Sequence, residues 1–431
     1  MIRVLVLGAY GLIGAGITRH LISQEYEVVG LGREAATAHR LFPDLEWRIV
    51  DLRELTDPAA WVPVLDGIDA VVNCAGALQD GAEDDLSAVH HLMPAALGEA
   101  AAERKLPVVQ ISAVGVAPDA STAFFRTKAE GDAALLTSGT PVWILRPGLV
   151  ISQQAYGGTA LIRMLAAVPL VQPLALGKTP VQCVGIADLA HAVDRALKGE
   201  LPTGTPIDLV EEQPRPLREV IALHRRWLGF APARLYLPLP RILLPILGWV
   251  ADGLGRLGWR SPLRSTALEV MKTGVAGDPV PYRRAGGQIA SLEQQLTATP
   301  VGTEHRLQAR LSLLMPLVLM GLSLFWILSG VVGVVSLSMA AEVLVEAGWS
   351  LFAAKATVLF WSAIDIAIGL AVLWRAHAAR ACWAMIVVSL VYLISASALA
   401  PSLWLDPLGA LVKVIPVILS ALLLRMLLEN R

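Results

Sequence analysis

Four apolar runs close this chain, over residues 311–335, 351–374, 382–400 and 408–428. Each is near the ~20 residues that an α-helix needs to cross the hydrocarbon of a bilayer. Backbone amides in lipid have no water to bond, so each run is restricted to helix. A single run of this kind would suit a buried core helix; four in succession argue against that. The hydrophobic fraction of 55% over 431 residues reflects this concentration in the last third. Pro316 and Pro416 are expected to kink two of the helices, which bundles tolerate.

The positive charges orient the runs. Arg306 and Arg310 precede the first, Arg375 and Arg380 join the second to the third, and Arg425 and Arg431 close the chain. The other joints carry Glu342, Glu346 and Asp406, with Lys355 and Lys413 nearby. The positive-inside rule then places both termini in the cytoplasm of a multi-pass inner-membrane protein. Asp365 lies within the second run, where a carboxylate is costly and needs a partner or water. Ser323 and Ser389 or Tyr392 stand at similar depth, and the site reads either as a proton or quinone site or as a polar clamp between helices.

The opposite end carries different chemistry. MIRVLVLGAYGLIG is a short apolar strand, residues 4–7, entering a Gly8-x-x-Gly11-x-x-Gly14 loop and then a helix over 12–24. Ile13, Ile17, Leu21 and Ile22 recur there at helical spacing. A strand, a tight glycine turn and a helix N-terminus present backbone N–H groups and a helix dipole to a pyrophosphate. Strands over 27–31, 47–50, 70–73, 108–112 and 142–145 alternate with helical stretches. The spacing predicts an α/β, doubly wound parallel sheet with its ligand across the carboxyl ends of the strands. The opening apolar run is too short for a signal peptide, so this domain is expected in the cytoplasm. Net charge of −1 without a basic stripe gives no reason to expect nucleic acid. Cys74, Cys183 and Cys382 are far apart and argue against a disulfide framework or a zinc site, so no metal is expected.

Several ordered motifs resemble the atypical or extended short-chain dehydrogenases/reductases over roughly residues 1–300. They are GAYGLIG at the first strand, NCAG at 73–76, ISAVG at 111–115, FFRTKAEGD at 124–132 and WILRPG at 143–148. The resemblance implies a Rossmann domain over 1–210 and a small substrate lobe with linker over 211–300. It also implies that Gly8, Tyr10, Gly11, Leu12, Ile13, Gly14, Ser112, Lys128 and Pro147 line the cofactor. Asp51 and Leu52 would border the adenine, with Asn73, Ala75 and Gly76 on the ribose side. An acid at the end of the second strand would bond the ribose 2′-hydroxyl of NAD; Arg33 stands there instead and favours NADP(H) over NAD(H).

That family's proton donor is a tyrosine four residues before a lysine. Lys128 is present, but Phe124 takes the tyrosine's place and has no hydroxyl to give. Three readings stay open. Lys128 serves as acid or base itself, with Ser112 beside it; Tyr10 or Tyr156 reaches in from another loop; or Lys128 only holds the ribose, as in the complex I accessory subunit and the NmrA-type redox sensors of this superfamily.

Residues 211–300 are proline-punctuated. The stretch 235–259 suits either a helix at the membrane surface or a buried helix of the lobe. In the first case Trp249 and Trp259 would lie at headgroup level, with Arg241, Arg256 and Arg260 toward anionic lipid. Asp188 reads as a helix N-cap, and 291–296 as a last short helix. RLSLLMPLVLMGLSLFWILSG, from Arg310 to Gly330, together with the four-run layout over 301–431, resembles the DoxX-like family, whose relatives imply quinone-linked redox work. The expected function is a membrane-anchored oxidoreductase acting on a lipophilic substrate such as a quinone or isoprenoid-like carbonyl. The competing expectation is a non-catalytic NADP(H)-binding sensor or scaffold with a membrane-protein partner.

Overall fold

Along the first strand, β1 (Arg3–Leu7), alternate residues point to opposite faces, and both faces are buried. Val4 and Val6 enter one apolar cluster with Ile17, Leu21, Leu189 and Val193, while Leu5 and Leu7 enter a second with Trp61, Met93 and Leu97. A strand covered by helices on both sides is the mark of a parallel sheet, and it explains the unbroken apolar run in the sequence. This computed structural model describes residues 1–81, 85–259, 261, 263–407 and 409–428. Arg260, Arg431 and the start of the fourth run at residue 408 lie outside the described residues.

The chain forms two compact units: Met1–Asp252 with Ser261–Ala309, and Gly253–Arg260 with Arg310–Arg431. In the first, β1, β2 (Glu27–Gly32), β3 (Glu46–Ile49), β4 (Ala70–Asn73), β5 (Val108–Ile111), β6 (Val142–Pro147) and the strand Ile207–Leu209 make one sheet. Its order is Ile207–Leu209, β6, β5, β4, β1, β2, β3, with every pair parallel. This is the doubly wound order with its reversal between β1 and β4. The helices relevant below are α1 (Leu12–Ser23), α2 (Ala35–Leu41), α3 (Met93–Arg104), α4 (Ala123–Thr137), α5 (Gly158–Ala167), α6 (Ile186–Leu197), α7 (Leu217–Trp227) and α8 (Leu243–Arg256).

α5 and α7 build the lobe with its own core of Ile162, Ala166, Val220, Ile221 and Leu292. The last short helix is Leu292–Ala298, started by a capping box of Ser291 and Gln294. Asp188 departs from expectation. Gly185 is the N-cap of α6, and Asp188 sits in the first turn, where Oδ2 accepts the Ala290 N–H at 3.1 Å. A partner a hundred residues away outcompetes the local cap.

In the second unit three helices among the described residues are long and apolar enough to cross a membrane: Thr303–Val335, Leu351–Ala371 and Arg375–Leu399. The fourth run is shorter than expected, forming the 15-residue helix Val414–Leu428. Pro416 explains part of this: it stands in the helix's first turn, where a proline costs no hydrogen bond, so it starts the helix rather than kinking it. A short helix, Leu337–Glu346, fills the first joint. The first two long helices approach closely: a Cβ at Gly330 would overlap the Ser362 carbonyl, and one at Gly369 would crowd Ile327. The partner of Asp365 is Ser329, whose hydroxyl donates to Oδ2 at 2.9 Å. Ser323 instead donates to the Gly369 carbonyl at 2.7 Å. The pair Ser329–Asp365 has the geometry of a polar clamp between helices. The two tryptophans of 235–259 part company: Trp249 is 76% exposed, whereas Trp259 is buried among Met315, Leu319 and Ala378.

Candidate functional site

Gly8 leaves β1 with φ +70, a backbone that favours glycine, and its N–H bonds the Leu31 carbonyl at 2.9 Å. A Cβ at Gly14 would overlap the Gly8 carbonyl, and a Cβ on Gly8 would press Ala75 at 3.3 Å. The loop therefore closes against the turn that follows β4. Gly11 caps α1 with extended backbone and no side chain bonds the first-turn amides. Leu12 and Ile13 open that turn, so the cradle fits a diphosphate held by backbone N–H groups.

Tyr10 leans over the end of β2. A Cβ on Gly32 would overlap its ring, and its hydroxyl accepts the N–H groups of Arg33 and Glu34 at 3.1 and 3.2 Å. The ring also meets Trp47, with centroids 5.9 Å apart. These contacts occupy the Tyr10 hydroxyl at the β2 edge, which removes it as a proton donor beside Lys128. Tyr156 is largely exposed in the loop before α5. Position 32 has no room for a carboxylate while Tyr10 lies there, and the next residue is Arg33. Asp51 sits close by, bonded to Arg53 at 2.6–3.1 Å through both oxygens. Those bonds hold its carboxyl below the usual range, and Arg33 adds to the effect. Leu52 follows it and opens the short 3-10 turn Leu52–Glu54 after β3. Two arginines, Arg33 and Arg53, thus act on Asp51, the position the resemblance assigns to the adenine border; Arg53 had no signal in the sequence.

Asn73 spends its amide internally. Its Oδ1 accepts the Ala75 N–H at 3.0 Å and its Nδ2 donates to Gln110 at 2.8 Å, so its amide shapes the turn that the resemblance places on the ribose side. Gly76 keeps the approach to the lysine clear: a Cβ there would lie a tight 3.3 Å from His90 Nε2 and 3.7 Å from Lys128 Nζ. At the far wall, Pro147 ends β6, its carbonyl accepting the Val114 N–H at 3.1 Å.

Lys128, on α4, is 6% exposed and donates to the Ile111 carbonyl at 3.2 Å. Burial holds its ammonium below the ordinary lysine value, opposed by Asp132 and Cys74. Burial also pushes the Cys74 thiol up. The Nζ lies 5.9 Å from the centre of the Phe124 ring. Phe124 packs with Phe125, Val116, Ala113 and Val270, so the wall where a tyrosine hydroxyl would stand is apolar. Ser112 donates its hydroxyl to the buried Asp132 at 2.6 Å. Burial raises the Asp132 carboxyl, and Arg146 lies 3.5 Å from it.

His90 is the functional neighbour that sequence reasoning missed. It lies in a π-helical turn, Ala88–Leu92, ahead of α3; such turns recur at functional sites. Its Nε2 accepts the Ala77 N–H at 3.1 Å, so the ring proton is on Nδ1, which faces Thr127 Oγ1 at 3.1 Å. Thr127 passes its own proton to the Ala123 carbonyl at 2.9 Å. The imidazole is therefore neutral, and burial plus the nearby Lys128 push its pKa down to about 2. It ties the turn after β4 to the helix that carries Lys128. A histidine in a helical stretch, with partners 13 and 37 residues distant, leaves no local pattern.

A doubly wound sheet, a glycine cradle at its switch point and a buried lysine on α4, the helix after β5, make a Rossmann-type domain that resembles the short-chain dehydrogenases/reductases. Comparison with known families makes this particular. Residues 4–168 match the NAD dependent epimerase/dehydratase family, and residues 323–422 match the DoxX-like family. The chain thus joins a domain similar to that epimerase/dehydratase family to a DoxX-like domain, in a region whose long apolar helices have the length and composition to cross a membrane. Three solved structures share the fold. The NAD complex of the Bordetella bronchiseptica enzyme WbmG is 18% identical, covers 69% of this chain and 92% of its own, with a TM-score of 0.52. The NADPH-dependent quinone oxidoreductase QOR2 of Escherichia coli, complexed with NADPH, is 18% identical over 68% of this chain and 98% of its own, with a TM-score of 0.51. Pal from Bacillus thuringiensis is 16% identical over 69% and 97%, also with a TM-score of 0.51.

Proposed function

We propose that this protein is a membrane-anchored oxidoreductase that reduces a lipophilic carbonyl, a quinone or an isoprenoid-like one, and prefers NADP(H) to NAD(H). The dinucleotide supplies the hydride when bound. The chain's own part is to hold a proton on Lys128 Nζ, hand it to the carbonyl oxygen and keep water out. Lys128 is the observation that carries this reading: a buried amine with one carbonyl partner, a lowered affinity for its proton and an apolar wall at Phe124. Residues 1–210 hold the dinucleotide, 211–300 shape the substrate side and 301–431 form a multi-pass anchor in the inner membrane, with both termini cytoplasmic as the arginine distribution favours.

Support for a lipophilic substrate comes from α8. Its Asp252 accepts a hydrogen bond from Gln79, in the loop after β4, at 3.2 Å. The same stretch exposes Ile242, Ile246, Trp249 and Val250, an apolar strip suited to membrane lipid. A second reading has a specific observation in its favour: Phe124 lacks a hydroxyl and Ser112 gives its own to Asp132. On that reading the domain is a non-catalytic NADP(H)-binding sensor or scaffold for a membrane-protein partner.

Two measurements decide. Purified full-length protein in detergent should enhance NADPH fluorescence at lower concentrations than NADH, and Arg33→Asp should reverse that order; equal titrations before and after would remove the NADP assignment. NADPH oxidation with short-chain quinones supports the oxidoreductase reading. Tight NADPH binding with no turnover across quinones and isoprenoid aldehydes would transfer the protein to the sensor class.

A further inference from the structure

On the helix pair α1 and α6, three donors that the site above does not use converge: His20, His191 and Asp194, with ligand atoms all within 4.8 Å of one another. Helices α1 and α6 pack closely, for a Cβ on Gly16 would overlap Ile186. His191 and Asp194 stand three apart on α6, hence on one face, and His20 meets them from the last turn of α1. The two imidazoles lie edge to face, with centroids 6.3 Å apart.

Two observations set this cluster apart from a chance surface group. His20 Nε2 is buried and has no hydrogen-bond partner, an orphan nitrogen that an apolar core would not create. Asp194 is buried and pinned from behind: Tyr26 donates its hydroxyl to Oδ1 at 2.9 Å, the kind of outer contact that orients a ligating carboxylate. The other oxygen, Oδ2, holds Lys198 at 2.7 Å. Lys198 is about half exposed and borders a shallow cleft of about 370 Å³ with Tyr26 and Met1, so its ammonium can withdraw into solvent.

We propose that His20, His191 and Asp194 form a binding site for a borderline divalent transition metal such as Zn²⁺, with the Lys198 ammonium as the resident cation that the metal displaces. Two neutral imidazoles and one carboxylate are a donor set that zinc takes, leaving a fourth position for water. Around a tetrahedral zinc the donors lie roughly 3.3 Å apart. Closing from separations of up to 4.8 Å needs small side-chain movements, for which the exposed His191 has the most freedom. Bound there, the metal would clamp α1, whose other end carries the glycine cradle, to α6. The sequence gives no hint of this, because its donors are split between residue 20 and residues 191 and 194.

The test uses tag-free full-length protein in detergent, stripped of metal and titrated with Zn²⁺ against a chromophoric chelator. One equivalent should bind and raise the midpoint of thermal unfolding. His191→Ala, at an exposed position that should not disturb folding, should weaken binding roughly tenfold or more. Lys198→Ala should tighten it, the opposite sign, which a merely structural cluster would not produce. Binding unaffected by His191→Ala would overturn the proposal, as would no stoichiometric binding by either the parent or Lys198→Ala. Binding by Lys198→Ala alone would also overturn it, since the lysine would then hold the site in the native chain.

Discussion

Replacement of Lys128 by methionine is expected to reduce NADPH oxidation with lipophilic quinones by ~10²–10⁴, the usual worth of a positioned proton donor. Methionine keeps most of the volume, so the cavity term that an alanine would add is avoided. Among the described residues, the Ile111 carbonyl is the group that loses its hydrogen bond to the ammonium. The pH profile checks the same claim independently. An acid works when protonated, so the rate should be flat at low pH and fall as pH rises through the lysine's lowered value, below its ordinary 10.5. The folded state binds this proton more weakly than the unfolded chain. Its contribution to stability is therefore unfavourable below the lowered value, and that penalty fades as pH rises toward 10.5. A methionine variant that turns over like the parent would end the lysine mechanism.

Gly14→Ala should abolish NADPH binding at concentrations that saturate the parent, even though it adds one methyl group. The added Cβ meets the Gly8 carbonyl, which is backbone and cannot rotate away, so the loop must open and its amides lose their aim. Overpacking of this kind costs ~1–3 kcal/mol in stability as well. Gly253→Ala is the control, because a Cβ there meets nothing within 4 Å and alanine favours helix. Fluorescence titration and thermal unfolding of both variants separate the effects. Undiminished NADPH binding by the Gly14 variant would place the diphosphate somewhere other than this cradle.

The parts that were legible in advance are those whose cause is local. Apolar runs of membrane length can satisfy their amides only as helix, and a glycine triplet after a strand admits one turn. The strand of residues 70–73 is found at those bounds, the third is shifted by one residue at both ends, and the others differ by one or two residues at one end, where hydrogen-bond ladders fray into turns. The fourth apolar run misled because composition measures hydrophobicity but not where the helix begins; Pro416 and the turn before it shorten the helix to Val414–Leu428.

What the sequence alone determined was therefore the alternation of strand and helix, the cradle, the apolar bundle and the absence of a tyrosine before Lys128. Tertiary structure decided who bonds whom: Ser112 with Asp132, His90 with Ala77 and Thr127, Asp365 with Ser329, and Tyr10 with the end of β2; it also brought His20 beside His191 and Asp194. The division has a physical cause. Periodicity and backbone sterics act between near neighbours along the chain. A polar side chain, by contrast, takes whatever partner folding brings within 3 Å or so, however far off in sequence.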